Sequence, residues 1–294
     1  MKKVLITGAN SYIGTSFENW VKGKCTDIVT ETLNMRDDAW RQKDFGGYDA
    51  VFHVAGIAHA DVGKASEEEK KQYYRVNTEL TAECAAKAKK DGVSRFIFMS
   101  SIIVYGESAG IGKQKIITAD TIPSPANFYG DSKLKAEEKL ISLQDEGFRV
   151  VILRPPMIYG KGSKGNYPLL AKMAAKLPFF PRENNQRSML YIGNLCKFVE
   201  LMIRNEEQGI FYPQNREYVR TADMVAAIAK EHGRKIHLTG LFHPAILLLG
   251  KLGGKPGELA DKAFGSLVYE KKISEYKEEY RVYGFEESIH LTEN

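Results

Sequence analysis

The 294-residue chain has little cysteine and less tryptophan: Cys25, Cys84 and Cys196 stand far apart, and two tryptophans complete the inventory. Three scattered cysteines form no disulfide framework and no pair at metal-ligand spacing, so they read as free thiols in a reducing cytoplasm, with no metal expected. Long apolar runs are missing too. The greasiest segment, Leu241 to Leu252, is interrupted by His243, Pro244 and Lys251, and a span needs about 20 apolar residues. No membrane partner is therefore expected. The opening Met-Lys-Lys runs straight into a strand pattern, so no signal peptide is expected either. No basic run is interleaved with aromatics, so a formal charge of +5 and a pI near 8.8 do not point to nucleic acid. They suit an anionic small-molecule ligand. Internal repeats and low-complexity stretches are lacking. What is present, 27% charged and 43% hydrophobic residues, describes a globular chain long enough for one large α/β domain with an appendage, or two small domains.

Residues 3–7 form a short apolar run suited to a buried parallel strand. It leads into Gly8-Ala-Asn10-Ser11-Tyr12-Ile13-Gly14 and then a helical pattern through Val21. Strand, glycine loop and helix is the order that sets a pyrophosphate against backbone N–H groups at a helix N-terminus. Ser11 occupies the middle position, where glycine would allow the closest approach, and its hydroxyl offers an extra donor. Residues 27–33 make a second strand. Glu31 stands nearest the spacing at which an acid holds the adenosine ribose, with Asn34 and Arg36 just beyond. A trimmed crossover follows, with a helical patch at 39–43. The next strand, 49–56, ends in Val54, Ala55 and Gly56, small enough for a dinucleotide to lie across it. His53 reads as core, and His59 as a loop residue near the pocket. The charged run 64–71 begins a solvated helix, and Asn77 sits on the inner edge of the helix after it, where it must find partners.

Residues 95–101 form another buried strand ending in Ser100 and Ser101. Beyond Pro123, Pro125 and Asn127 a helix begins at Tyr129 and runs to about Gln144. Tyr129 and Lys133 are four residues apart, so they share a helix face about 5–6 Å apart. A nearby ammonium favours the phenolate and lowers a tyrosine pKa from its usual value near 10. A tyrosine so tuned can exchange a proton with a sugar or steroid hydroxyl. Residues 148–153 make one more strand, followed by Arg154 and Pro155. From Met157 the βα alternation lapses. The segment Gln186–Ile203 reads as a return to the first domain through a strand at 189–192 and a helix. Residues 221–230 form a capped helix, and the charged tail 271–283 reads as surface.

Taken together, these motifs resemble the extended short-chain dehydrogenase/reductase family, in its nucleotide-sugar branch. Thr7-Gly8-Ala-Asn-Ser-Tyr-Ile-Gly14 is similar to the family's T-G-A-x-G-x-x-G loop, with Ser11 as the departure. His53-Val-Ala-Gly56, Ser100-Ser-Ile-Ile-Val-Tyr-Gly106, Tyr129 with Lys133, and Arg154-Pro155 match its later motifs in order. Arg187-Ser-Met-Leu-Tyr-Ile-Gly-Asn-Leu195 resembles R-x-x-x-[HY]-V-x-D-L, with Asn194 replacing the acid, and Gly265-Ser-Leu-Val268 resembles a G-S-L-V turn of some bacterial lipopolysaccharide-sugar enzymes.

The resemblance implies an α/β fold: a Rossmann-type doubly wound parallel sheet with a smaller, mixed C-terminal substrate-binding domain. The boundaries expected are 1–160, rejoined by 186–204, for the dinucleotide domain, and 161–185 with 205–294 for the rest. It implies NAD as cofactor, with NADP open through Arg36, held by Gly8, Asn10, Ser11, Tyr12, Ile13, Gly14, Glu31, Asn34, Arg36, Val54, Ala55, Gly56, Asn77, Ser100, Lys133 and Pro155. Tyr129 exchanges the proton, Lys133 lowers its pKa and bonds the ribose, and Ser101 binds the reacting oxygen. Asn166 and Arg187 join Ser101 and Tyr129 on the sugar nucleotide, with Arg187 on its diphosphate. Ile102 and Ile103 stand where a dehydratase needs acids, and no cysteine falls in a pocket loop for double epimerisation. C4 epimerisation of a UDP-sugar is thus the first expectation, 4-keto-6-deoxyhexose reduction the second, and a non-catalytic NAD(P)-binding regulatory module the third. A cytoplasmic homodimer, pairing through helices near 78–90 and 132–144, completes the picture.

Overall fold

The computed structural model describes residues 1–58, 65–251 and 254–294; His59 and Lys64 lie outside them. The chain divides into two compact units. The first comprises Met1–Gly106, Ile122–Pro155 and Leu195–Pro213, and the second Glu107–Thr121, Pro156–Asn194 and Gln214–Asn294.

In the first unit, β1 (Lys2–Thr7), β2 (Ile28–Leu33), β3 (Ala50–His53), β4 (Arg95–Met99), β5 (Arg149–Leu153) and β6 (Gly209–Phe211) form one parallel sheet in the order 2-1-3-4-5-6. The order reverses between β1 and β3, which opens a crevice at their carboxyl ends, where open α/β sheets bind ligands. Between β2 and β3 only a 3₁₀ turn, Asp38–Arg41, intervenes, built around buried Trp40. β2 thus remains the sheet's edge.

Both sheet faces are covered, because the strands are apolar on both sides. Leu5, Val51, Phe96, Phe98, Val150 and Ile152 pack with Cys84, Ala85 and Ala88 of α3 (Thr81–Lys90) and with Ala136 and Leu140 of α4 (Phe128–Leu143). On the other face Phe17 of α1 (Tyr12–Lys24) meets Phe52 edge-on, and Phe198 of α5 (Ile192–Arg204) meets Phe211. Ser11 caps α1 by accepting from Gly14 N at 3.1 Å, and Lys22 and Lys24 in its last turn complement the helix dipole. Ser66 and Glu69 close a reciprocal capping box on α2 (Glu67–Tyr74).

In the second unit, three short parallel pairs join Met157–Tyr159 to Met189–Tyr191, Phe179–Pro181 to His237–Thr239, and Ile116–Ile117 to Val268–Tyr269. Two sequence expectations change here. The strand at 189–191 pairs within this unit, and the return to the main sheet is made by Leu195–Pro213 through β6. The tail 271–283 is not simply surface. Tyr280 is 1% exposed, and its hydroxyl bonds Gln214 O and Ser274 O, each at 3.0 Å. Buried Tyr159 similarly anchors Ser288 at 2.6 Å and Asn215 at 3.0 Å. Among the described residues no helix is long and apolar enough to cross a membrane.

Candidate active site

The glycine loop after β1 is shaped by contact as much as by flexibility. Gly8 has φ +112°, and a Cβ there would fall 2.8 Å from Ala55 N; only glycine accepts that conformation freely. Asn10 takes a left-handed φ of 61°, which asparagine tolerates better than most residues. α1 has no acid in its first turn, so its positive end remains open to an anion. Ser11 uses its oxygen to cap Gly14 N, which removes one N–H that a glycine loop would leave for phosphate. Its hydroxyl proton is still available to donate. Tyr12 and Ile13 form the first turn.

At the end of β3, Ala55 and Gly56 run beside Asn77, whose side chain holds the next residue at both ends. Its Oδ1 accepts from Ile57 N at 2.8 Å and its Nδ2 donates to Ile57 O at 3.0 Å. The same Nδ2 reaches Ser132 Oγ at 3.1 Å, so the strand-end loop is fastened to α4. A Cβ on Gly56 would press within 3.1 Å of Asn77 Oδ1 and 3.2 Å of Lys133 Nζ. The open helix end and the glycines at Gly8, Gly14 and Gly56 fit a dinucleotide.

α4 is capped by Asn127, which accepts from Gly130 N at 3.0 Å. Gly130 packs so tightly on the 3₁₀ turn Ile102–Tyr105 that a Cβ would lie 2.8 Å from Ile103 O. This contact sets Tyr129 beside Ser101. Ser101 caps the same turn, accepting from Ile103 N at 3.3 Å. Loss of hydration pushes the Tyr129 hydroxyl up to about 12; the Ser101 hydroxyl pulls the other way, and Tyr73, edge-on at 6.0 Å, adds to the rise.

Lys133 departs from its expected influence. It is buried, donates to Met99 O at 2.9 Å and lies 4.7 Å from the centre of the Phe98 ring. Burial lowers its pKa to about 8, against the pull of Glu137. In this arrangement it serves the end of β4 and the Gly56 side of the crevice, and Ser101 is the group that lowers the Tyr129 pKa.

Beneath these residues lies a buried polar group that the sequence did not disclose. Glu137, one further helical repeat beyond Lys133, accepts from Ser100 Oγ and pairs with Arg154, whose Nη1 reaches Tyr105 OH at 2.5 Å. Burial works against the Arg154 charge, but the Glu137 carboxylate outweighs it and raises the pKa. With Ser100 committed to Glu137, Ser101 is the hydroxyl that bears on Tyr129. The repeat Tyr129, Lys133, Glu137 was the available signal.

Other expected residues divide. Val54, Ser100 and Pro155 lie at strand carboxyl ends, with Pro155 O accepting from Ile102 N at 2.9 Å. Glu31 requires correction: it lies two residues before the end of β2, where Lys43 holds its carboxylate at 2.6 Å and Tyr48 also donates to it. Asn34 and Arg36 occupy the strand end instead, with Arg36 N bonded to Asn34 Oδ1 at 3.1 Å and the Arg36 side chain exposed. His53 is fully buried in the core.

In the second unit, Arg187 Nη1 donates to Lys262 O at 2.9 Å and Gly265 O at 3.2 Å. Exposed Asn166 precedes the helix Tyr167–Lys176. Asn194 donates to Asn215 Oδ1 and to Tyr283 O, each at 3.0 Å. A carboxylate cannot make either bond, which accounts for asparagine where the motif has an acid.

Comparison with known proteins adds names to this geometry. A family model described as the NAD dependent epimerase/dehydratase family matches residues 4–212. The UDP-glucose 4-epimerase of Vibrio cholerae is 30% identical over 298 residues, covering 94% of this chain and 89% of that protein. The N-acetyl-alpha-D-glucosaminyl-diphospho-ditrans,octacis-undecaprenol 4-epimerase of Escherichia coli O157:H7 is 28% identical, covering 89% and 81%. Among solved structures, a dTDP-4-dehydrorhamnose reductase from Clostridium acetobutylicum superposes with a TM-score of 0.74 at 18% identity, over 99% of this chain and 98% of that one. A UDP-glucose 4-epimerase structure gives 0.73 at 20% identity, over 99% and 96%. At those identities the structural likeness carries the fold alone.

Proposed function

This chain belongs to the NAD dependent epimerase/dehydratase family, and from that membership we propose that it inverts C4 of a hexose carried on a diphosphate, with a UDP-sugar as the first substrate to try. The observation that carries the reading is Tyr129 held beside the Ser101 hydroxyl, with Lys133 on the same helix reaching Gly56 at the end of β3. Both sequence relatives described above are, by name, 4-epimerases.

When bound, the nicotinamide supplies the acceptor and donor of the C4 hydride. The chain supplies proton handling and position. Tyr129 takes the C4 hydroxyl proton and returns it, while Ser101 donates to the same oxygen. With its pKa near 12, Tyr129 readily gives a proton at neutral pH, and its proton-accepting form becomes more abundant as pH rises. Lys133, still largely cationic at neutral pH, is the group to hold the ribose, with Asn77 fixing the loop beneath. Ile102 and Ile103 provide no acid for dehydration. Cys84 and Cys196 are buried, and burial raises their thiol pKa values, which makes them poor bases for double epimerisation.

A second reading, 4-keto-6-deoxyhexose reduction, is favoured by two specific features. Ser11 takes up an N–H of the phosphate loop, and Glu31 is engaged away from the strand end. A cofactor held by fewer contacts exchanges more readily, as a reductase requires. Arg187 and Asn166 are the substrate residues in either reading. A cytoplasmic homodimer working in polysaccharide biosynthesis, paired through α3 and α4, belongs to the same proposal. The deciding experiment incubates the protein with UDP-sugars, and separately with a polyprenyl-diphosphate sugar, without added cofactor, and follows C4 inversion by NMR. Inversion supports the epimerase and identifies the carrier. No inversion after NAD is supplied, with NAD(P)H consumed on a 4-keto-6-deoxy sugar nucleotide, replaces it with the reductase.

A further inference from the structure

Between Glu231 and Glu258 the sequence contains no acid, while Arg234, Lys235, Lys251 and Lys255 are basic. Within this stretch lies the helix His243–Lys251, whose buried residue is Ile246. Two of its leucines face outward. Leu248 and Leu249 are 61% and 41% exposed, and Leu241 and Phe242, just before the helix, are 86% and 43% exposed. The strand leading in, His237–Thr239, pairs with Phe179–Pro181. Phe179 is itself 54% exposed, and Arg182, bonded through its N–H to Thr239 O, is exposed beside it. Two carboxylates among the described residues are each bonded through one oxygen. Glu183 is buried and bonded to His243 Nδ1 at 2.9 Å, and Asp261 accepts from Ile111 N at 3.1 Å.

Two kinds of occupant can cover exposed leucines in a segment that carries basic and no acidic residues, and their chemistry differs. A stable interface between two protein copies buries about 800 Å² per partner and depletes lysine at its core. A nine-residue helix is only about 13 Å long, and the basic residue of its own last turn is a lysine, Lys251, a residue type that interface cores deplete. A segment lying in a membrane interface has the composition seen here: exposed leucine and phenylalanine together with basic residues, and too little apolar length to span. We propose that Leu241–Lys251 is an interfacial element that seats the second unit on an anionic lipid surface. Leu241, Phe242, Leu248 and Leu249 enter the boundary between headgroups and acyl chains, and exposed Arg182 and Lys251 meet the lipid phosphates. This departs from the sequence-based expectation of no membrane partner. It is independent of the catalytic reading, since none of these side chains belongs to the site described above.

The test is co-sedimentation of the full chain with vesicles of phosphatidylcholine, with and without phosphatidylglycerol. Wild-type protein should pellet with the anionic vesicles, less as salt rises, and Leu248→Glu with Leu249→Glu should lower the bound fraction about tenfold. Both positions are exposed, so the variant should keep its melting curve. Should it not, Phe242→Trp in an otherwise wild-type chain gives a second readout, a blue shift of its fluorescence on anionic vesicles alone. Failure of the wild type to bind anionic vesicles overturns the proposal, as does equal binding by the charged variant. A change of oligomeric state in the variant, with no vesicle binding by either protein, assigns the patch to a second copy instead.

Discussion

The Glu137 carboxylate receives the Arg154 guanidinium through Nη2 at 2.5 Å and through Nε at 3.1 Å, with both side chains almost wholly shut from solvent. Ser100 and Tyr105 complete the group, so one buried charge pair ties α4 to the ends of β4 and β5. Breaking such a pair on one side leaves the other charge buried without compensation, at a cost of about 3–5 kcal/mol. Glu137→Met alone should lose stability on that scale in urea unfolding. Combining it with Arg154→Met should recover most of the loss. A single variant as stable as wild type would mean that the pair contributes nothing to holding the helix.

Tyr129→Phe removes the hydroxyl that handles the proton while leaving the ring packed against Tyr73. Turnover should fall about 10²–10⁴-fold, with cofactor affinity within error of wild type. Turnover within a few-fold of wild type would remove Tyr129 from the chemistry.

Asn194→Asp would restore the acid of the related motif and should weaken this protein. Two donated hydrogen bonds, to Asn215 Oδ1 and Tyr283 O, would become contacts between acceptors. The loss should be about 1–3 kcal/mol per unsatisfied group, read from melting or urea curves. An unchanged midpoint would show that the surroundings rearrange to suit a carboxylate.

His53 binds Thr7 Oγ1 at 2.7 Å and Thr81 Oγ1 at 3.0 Å. Burial, reinforced by the Lys133 charge, lowers its pKa from 6.5 to about 3. Between those values the unfolded chain binds a proton that the folded chain refuses. The stability associated with neutral His53 is therefore complete above pH 6.5 and is lost as the pH falls toward 3. His53→Gln lacks this titration. The stability of wild type relative to the variant should decline by up to about 1.4 kcal/mol for each pH unit through that window. Parallel curves for the two proteins would place the acid sensitivity elsewhere.

Cofactor choice turns on the end of β2. Lys43 and Tyr48 engage Glu31, while exposed Arg36 stands two residues beyond Asn34. NADP should bind at least as tightly as NAD, and Arg36→Ala should weaken NADP about tenfold with little effect on NAD. A marked preference of the wild type for NAD would show that Arg36 turns away from the ribose.

Much of the first unit was legible because its signals are local. Short apolar strands, the glycine loop and the four-residue spacing from Tyr129 to Lys133 depend on neighbours along the chain. Pairing does not. Met189–Tyr191 has the composition of a main-sheet strand, yet it joins Met157–Tyr159, and no property of those three residues names the partner. Glu31 was two residues away from the expected position because strand ends are set by register, here Leu33 opposite Thr7. Nothing along the chain distinguishes Glu137 from a solvated helical glutamate. Only the arrival of Arg154 from just beyond the end of β5 makes it a core residue. The spacing of Lys133 from Tyr129 is local, but the carbonyl that Lys133 chooses, Met99 O, belongs to a strand end 34 residues earlier in sequence.

Each compact unit is assembled from three separate segments of chain, and this governs how the protein must be made. β5 receives its outer neighbour only when Gly209–Phe211 has left the ribosome. By then Glu107–Thr121 and Pro156–Asn194 are already exposed, while Val268–Tyr269, the partner of Ile116–Ile117, has not been synthesised. The first unit has all its segments once Pro213 is made, with two segments of the second interleaved among them, and the second must wait for Gln214–Asn294. Folding awaits pairings of long sequence separation, which are slow to form, and a chain stopped after Pro213 would carry half of a second core with nothing to close it. Premature termination should thus yield a substrate for chaperones and proteases rather than a free dinucleotide-binding domain.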